Sequence, residues 1–291
     1  MKWKSFLTAT FFLISLLSGC SARQSTQIAA TTLPVYQFTS QLCEGTGISV
    51  TRLITESVSC LHDYSLSVSQ VRTVEAAQVV VISGAGLEGF MEDLLVSVNS
   101  VIDSSAGIPL LGCEDSHESD HDHQHHEEDA HIWLSPANAM IMATNICNGL
   151  REQFPQHADT FCANLAKLLA ELDALQAYGE AQLADLRCRE LITFHDGFSY
   201  FAHSFDLHIL EAIEEESGSE ASAQELIRLI GLVEEHRLPA VFVETSGSVS
   251  AADIITRETN ASVYTLDMAM SGDSYFTAMY HNIDTIKEAL G

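Results

Sequence analysis

Short apolar runs alternate with stretches of helical spacing along the first half of the chain. QIAATTLP (27–34), GISVTRLI (47–54), AAQVVVIS (76–83) and GIPLLG (107–112) have the length and apolar density of buried strands. Between them VYQFTSQLC, SVSQVRTVEA and LEGFMEDLLVSVN place their apolar residues on one helical face. Such β-α-β runs predict a parallel sheet covered by helices. The second half repeats the pattern. CRELITF (188–194), LHILEAI (207–213), LPAVFVET (238–245) and ASVYTLDM (261–268) read as strands, with helices over 222–237 and 250–260. Between the halves, no glycine or proline interrupts Gln156 to Tyr178, and the surrounding stretch is rich in Ala, Leu and Glu. It predicts one long helix from about Gln156 to Leu186, reaching ~45 Å at ~1.5 Å per residue. The fold class is therefore α/β, with two lobes, each a mostly parallel sheet flanked by helices, joined by one long connecting helix. The first lobe is expected over 27–153, including a histidine- and acid-rich loop at 114–129. The linker helix is expected over 154–187 and the second lobe over 188–291.

Residues 1–20 read as a targeting segment rather than as fold. Lys2 and Lys4 precede the apolar run FLTATFFLISLL (6–17), which is short for a membrane span. LSGC (17–20) follows and resembles the bacterial lipobox, which implies cleavage before Cys20 and a lipid on its sulfur. The expected location is outside the cytoplasm, anchored by lipid to a bacterial membrane and facing the periplasm or the extracellular side. That setting permits disulfides among Cys43, Cys60, Cys113, Cys147, Cys162 and Cys188, and the sequence does not choose among their pairings. No C-x-x-C pair suggests a thiolate metal site.

Charge narrows the partners. Thirteen basic against 40 acidic residues give a formal net charge of −27. Nucleic acid needs a basic footprint, so it is excluded as a partner. An acidic surface instead favours cations. One motif points elsewhere: GAGLEG (84–89) fits the G-x-G-x-x-G dinucleotide fingerprint in form. It follows the third strand rather than the first, and a tight strand-to-helix turn calls for glycine without any cofactor.

Eight of the thirteen histidines fall into two groups. His117, His121, His123, His125 and His126 crowd an acidic segment with almost no apolar residue, which suits weak collection of metal ions. His62, His131 and His195 stand singly beside predicted strand ends. Ligands of open α/β sheets bind outside the carboxyl ends of strands. Asp267 and Glu244 end strands of the second lobe, so either could supply a carboxylate. A metal held by these residues would lie between the lobes. His157, His203, His208, His236 and His281 have no such context.

LHDYSLSVSQ (61–70), HIWLSPANAM (131–140), ITFHDGFSYFA (192–202), VFVETSGSVSAADIITRETNASVYTLD (241–267) and YHNIDTIKEAL (280–290) together resemble the zinc-binding lipoproteins that feed bacterial ABC-type metal importers. The similarity runs in order from about Ile28 to Leu290. It implies a single metal between two lobes, with His62, His131 and His195 at the family's histidine positions and Asp267 at its carboxylate position. Manganese- and iron-carrying relatives tend to have glutamate at the third histidine position, so His195 favours Zn²⁺, as does the histidine-acid loop. The prolines and the aspartate usual around the first histidine are replaced here by Leu61, Leu66, Val68 and Gln70, and TLDMAM replaces a proline-containing sequence at Asp267.

The resemblance implies a monomeric capture protein, not an enzyme, that delivers Zn²⁺ to a membrane permease. The alternatives are a manganese or iron carrier of the same family, an exported zinc hydrolase, and an adhesin-like surface lipoprotein. A hydrolase needs an open coordination place and a general base, and the chain has no H-E-x-x-H. Asp63 and Asp196, each beside a candidate ligand, are candidates for orienting the rings.

Overall fold

The computed structural model describes residues 27–56, 61, 64–112, 129–212, 222–245 and 250–291. Within them, β1 (Ile28–Ala30), β2 (Val50–Arg52), β3 (Val79–Ile82) and β4 (Val101–Asp103) form a parallel sheet of order β2-β1-β3-β4. A second parallel sheet has the corresponding order β6-β5-β7-β8, from β5 (Glu190–Thr193), β6 (His208–Ala212), β7 (Ala240–Glu244) and β8 (Ser262–Leu266). β1 and the first three residues of β3 are wholly buried, as expected for strands covered on both faces.

The helices start where local chemistry allows. α1 (Leu33–Leu42) has Pro34 in its first turn, and α2 (Val68–Ala76) opens with a reciprocal capping box between Ser67 and Gln70. α7 (Ala223–His236) does the same with Ser222 and Glu225. α4 (Pro136–Gln153) takes Ser135 as its cap and Pro136 as its first residue. The long helix α5 (Ala158–Gln182) is somewhat shorter than the sequence suggests, because Pro155 leads a 3₁₀ turn before it and Leu183 closes it. α6 (Ser199–Ser204), α8 (Ser250–Glu258) and α9 (Tyr275–Leu290) complete the framework.

Two expectations fail in the first lobe. The fourth strand is Val101–Asp103 and not 107–112, since the chain turns after Asp103 and Gly107 takes a φ of +79°. LEGFMEDLLVSVN does not form a full helix either. It gives a 3₁₀ turn at Gly89–Met91 and one short turn, α3 (Glu92–Leu95). The same region disposes of the dinucleotide motif. Ser83 N–H and Gly84 N–H both donate to the carboxylate of buried Glu88, at 2.8 and 3.0 Å, and Thr31 Oγ1 donates to it at 2.6 Å. An internal carboxylate thus occupies the amides that a phosphate would need. Gly84 is required for another reason: its φ is +84°, and a Cβ there would lie 2.0 Å from Asp103 Oδ1.

The main core crosses both lobes. It runs from Ile28 and Phe38 through Trp133, Leu172 and Phe201 to Leu290. A smaller core lies on the outer face of the second sheet, where Leu229, Val233, Ala252 and Ile255 of α7 and α8 cover Ile192 and Val241. Polar ties reinforce the junction. Arg52 donates to Met270 O and Gly272 O at 2.6 and 2.8 Å, and Tyr275 N–H donates to Gln37 Oε1 at 2.7 Å.

Candidate metal site

His131 sits at the entrance to the 3₁₀ turn Ile132–Leu134, whose three side chains are fully buried. The turn is locked from the second lobe. Trp133 Nε1 donates to Met268 O at 2.7 Å, and Tyr275 Oη donates to Trp133 O at 2.8 Å. His131 is only 5% exposed. Both its backbone N–H and its ring Nδ1 lie 2.8 Å from Asp129 Oδ1. A carboxylate acceptor at Nδ1 keeps the proton there and leaves the Nε2 lone pair for another partner.

That lone pair faces the second lobe. His195, two residues beyond β5, places its Nε2 3.4 Å from His131 Nε2, with the rings edge to face at 86°. Two nitrogens bound at about 2.0–2.1 Å to one tetrahedral Zn²⁺ stand about 3.3–3.4 Å apart. Gly197 permits this approach, since a Cβ there would meet the His195 ring at 2.7 Å and the Met268 methyl at 2.6 Å. On its other side His195 Nδ1 lies 3.3 Å from Glu244 Oε1. This is ion-pair distance without hydrogen-bond alignment, and Glu244 Oε1 has no hydrogen-bond partner among the described residues.

Asp129, His131 and Glu244 are all buried here. Burial, and then the charge of Asp267, push the Glu244 carboxyl up to about 8. Asp129 Oδ2 is likewise buried without a hydrogen-bond partner among the described residues. Buried oxygens left in this way favour an added cation. Asp267 follows β8 and is set by Asn282 of α9. Asp267 N–H donates to Asn282 Oδ1 at 2.8 Å, and Asn282 Nδ2 donates to Asp267 O at 2.7 Å. Its own Oδ1 accepts from Ala269 N–H at 2.7 Å.

The structure therefore brings His131, His195 and Glu244 together and places Asp267 close enough to act on Glu244. Among the described residues, no three His, Cys, Asp or Glu side chains gather tightly enough to hold an ion. His62 and Asp63 lie outside the described residues, as do Cys20, Cys60 and the loop histidines His117, His121, His123, His125 and His126. The described segment from Tyr64 onward is held without proline: Gln70 Nε2 donates to Leu53 O at 2.9 Å and to Tyr64 Oη at 2.6 Å. His236 pairs with Glu190 at the opposite end of β5 and has no part in the site. Asp129 and Asn282 are the residues that sequence reasoning missed. In the sequence Asp129 reads as one more acid of the loop, and Asn282 has no mark inside YHNIDTIKEAL.

A family model described as zinc-uptake complex component A, periplasmic (ZnuA) matches residues 28–289. The chain belongs to this family. Zinc-binding lipoprotein AdcA of Streptococcus pneumoniae serotype 4 is 27% identical over 308 residues, covering 99% of this chain and 61% of that protein. The chain thus spans about three fifths of that relative's length. A putative metal-binding protein of Treponema pallidum is also 27% identical and is covered over 97% of its length. A crystal structure of ZnuA superposes with a TM-score of 0.78 at 30% identity, covering 91% of this chain and all of that one. The family is described as a component of a zinc-uptake complex, which gives the hydrolase reading no support. The His131–Asp129 pair now gives a specific expectation for this ZnuA-family chain. Asp129→Asn should weaken zinc binding about 10- to 100-fold, because the neutral amide no longer fixes the ring tautomer as a carboxylate does. Competition with a chromophoric chelator measures it, and affinity within twofold of the parent would refute the role.

Proposed function

We propose that the protein captures Zn²⁺ between its two lobes and hands it to an ABC-type importer, through His62, His131, His195 and Asp267, with Glu244 as the alternative carboxylate. The observation that carries this reading is the 3.4 Å separation of His131 Nε2 and His195 Nε2, each ring contributed by a different lobe and backed by a carboxylate. Three imidazoles and one carboxylate suit tetrahedral Zn²⁺. The zinc in the name of the streptococcal relative supports the same cargo. Export and a lipid anchor at Cys20 fit the lipobox-like sequence and the word lipoprotein in that relative's name. Among the described residues no helix is long and apolar enough to cross a membrane.

In this reading the histidine-acid loop is a weak collector that the tight site does not need. The test is calorimetry on a chain lacking residues 114–128. The deletion must spare Asp129, which belongs to the His131 support and not to the loop. One tight zinc equivalent should remain, with the weaker equivalents gone. Loss of the tight equivalent would overturn the assignment of His131 and His195 as ligands independent of the loop.

A further inference from the structure

α4 and α5 form an antiparallel hairpin joined by Phe154 and the Pro155–His157 turn. Each helix carries one cysteine near the joined ends. Cys147 lies six residues before the end of α4, and Cys162 four residues after the start of α5. At ~1.5 Å per residue the two stand at similar heights above the turn. α4 and α5 pack closely against each other, and Cys162 lies near enough to act on the Cys147 thiol; both thiols are free in this structure. Cys147 is 1% exposed, whereas Cys162 is open to solvent. Cys43 is buried elsewhere in the core, and the Cys188 thiol donates to Glu190 O at 3.4 Å.

We infer that Cys147 and Cys162 form a disulfide that staples the α4–α5 hairpin. The pairing goes beyond the metal reading and depends only on an oxidising setting, such as the exported one proposed above. Burial, and then the neighbouring Cys162 thiol, push Cys147 up to about 11, so solvent-exposed Cys162 is the first to react. Its thiolate attacks a disulfide donor R–S–S–R. The donor S–S bond breaks, one R–S⁻ leaves and takes a proton, and a mixed disulfide forms. Cys147 then attacks the Cys162 sulfur, and the second R–S⁻ leaves and takes the other proton. Two cysteine thiols are oxidised and one donor disulfide is reduced to two thiols.

The pairing is testable on the purified chain independently of its location or metal. The reduced protein is exposed to oxidised glutathione, digested without reductant and sequenced by tandem mass spectrometry. The expected product is a Cys147–Cys162 cross-link, two hydrogens lighter than the reduced pair. Stable glutathione on Cys162, or a bond from Cys162 to any other cysteine, would overturn it. Melting supplies a second readout. The oxidised parent should melt about 5–10 °C above its reduced form. Cys162→Ser, at an exposed position that should fold normally, should show no such gap. A gap that persists in Cys162→Ser, or is missing from the parent, would sink the staple.

Discussion

His195→Ala, purified without added metal, should contain almost no zinc where the parent carries about one equivalent. His195 supplies one of two nitrogens already at the spacing a tetrahedral ion demands, and the other, His131 Nε2, comes from the opposite lobe. Removing it takes away a bond to the ion. It also leaves the Glu244 carboxyl, buried beside the ring, without its imidazole neighbour. Loss of a residue that merely orients a ligand costs about 10- to 100-fold in affinity, so loss of a ligand should cost at least about 100-fold. His131→Ala should do the same, because its ring is the one held most firmly. Metal analysis gives occupancy and chelator competition gives affinity. The histidine-acid loop could mask the effect with weak sites, so each variant is also made without residues 114–128. Full zinc occupancy in the loop-deleted His195→Ala protein would refute the assignment.

Trp133→Ala should be the most destabilising single change considered, by about 3–5 kcal/mol. Trp133 is fully buried, packs edge to face against His131 with centroids 5.4 Å apart, and donates across the lobes to Met268 O. Truncation empties a large volume at the junction and strands a buried carbonyl. Trp133→Phe helps to separate the two effects, since it removes the donor, for about 1–3 kcal/mol, but keeps an aromatic ring and leaves a smaller cavity than alanine does. Urea denaturation of the metal-free proteins measures both. A loss below about 1 kcal/mol for Trp133→Ala would mean that the junction does not depend on this ring. Zinc affinity should fall as well, because the turn that holds His131 loses its anchor.

The repeated strand–helix rhythm was legible because the inner strands β1, β3, β5 and β7 are apolar and largely buried, and buried parallel strands read as short apolar runs. The second lobe was read most accurately. In the first lobe GIPLLG looked more like a strand than the mixed VID that pairs with β3, because its burial comes from a loop and not from a ladder. LEGFMEDLLVSVN has helical spacing, yet Glu88 turns back to cap the preceding strand and leaves room for only a short helical turn. His131, His195 and Glu244 were readable as strand-end and turn residues. Their supports were not. Asp129 is one more acid in a run of acids until the chain folds it beneath His131. Asn282 is one face of a helix whose meeting with Asp267 depends on tertiary packing.

The continuity of the core has a consequence for the order in which the molecule is made. Tyr275 of the last helix packs edge to face on Phe38 of the first, with centroids 5.1 Å apart, and Ile283, Ile286 and Leu290 complete the same interior. The lobe that begins at the amino end is therefore closed by residues from the carboxyl end. A chain emerging gradually from a ribosome cannot finish that interior until α9 has arrived. Such long-range closure makes native assembly late and slow. Until then the lengthening polypeptide stays pliable, with the interior of its first lobe incomplete.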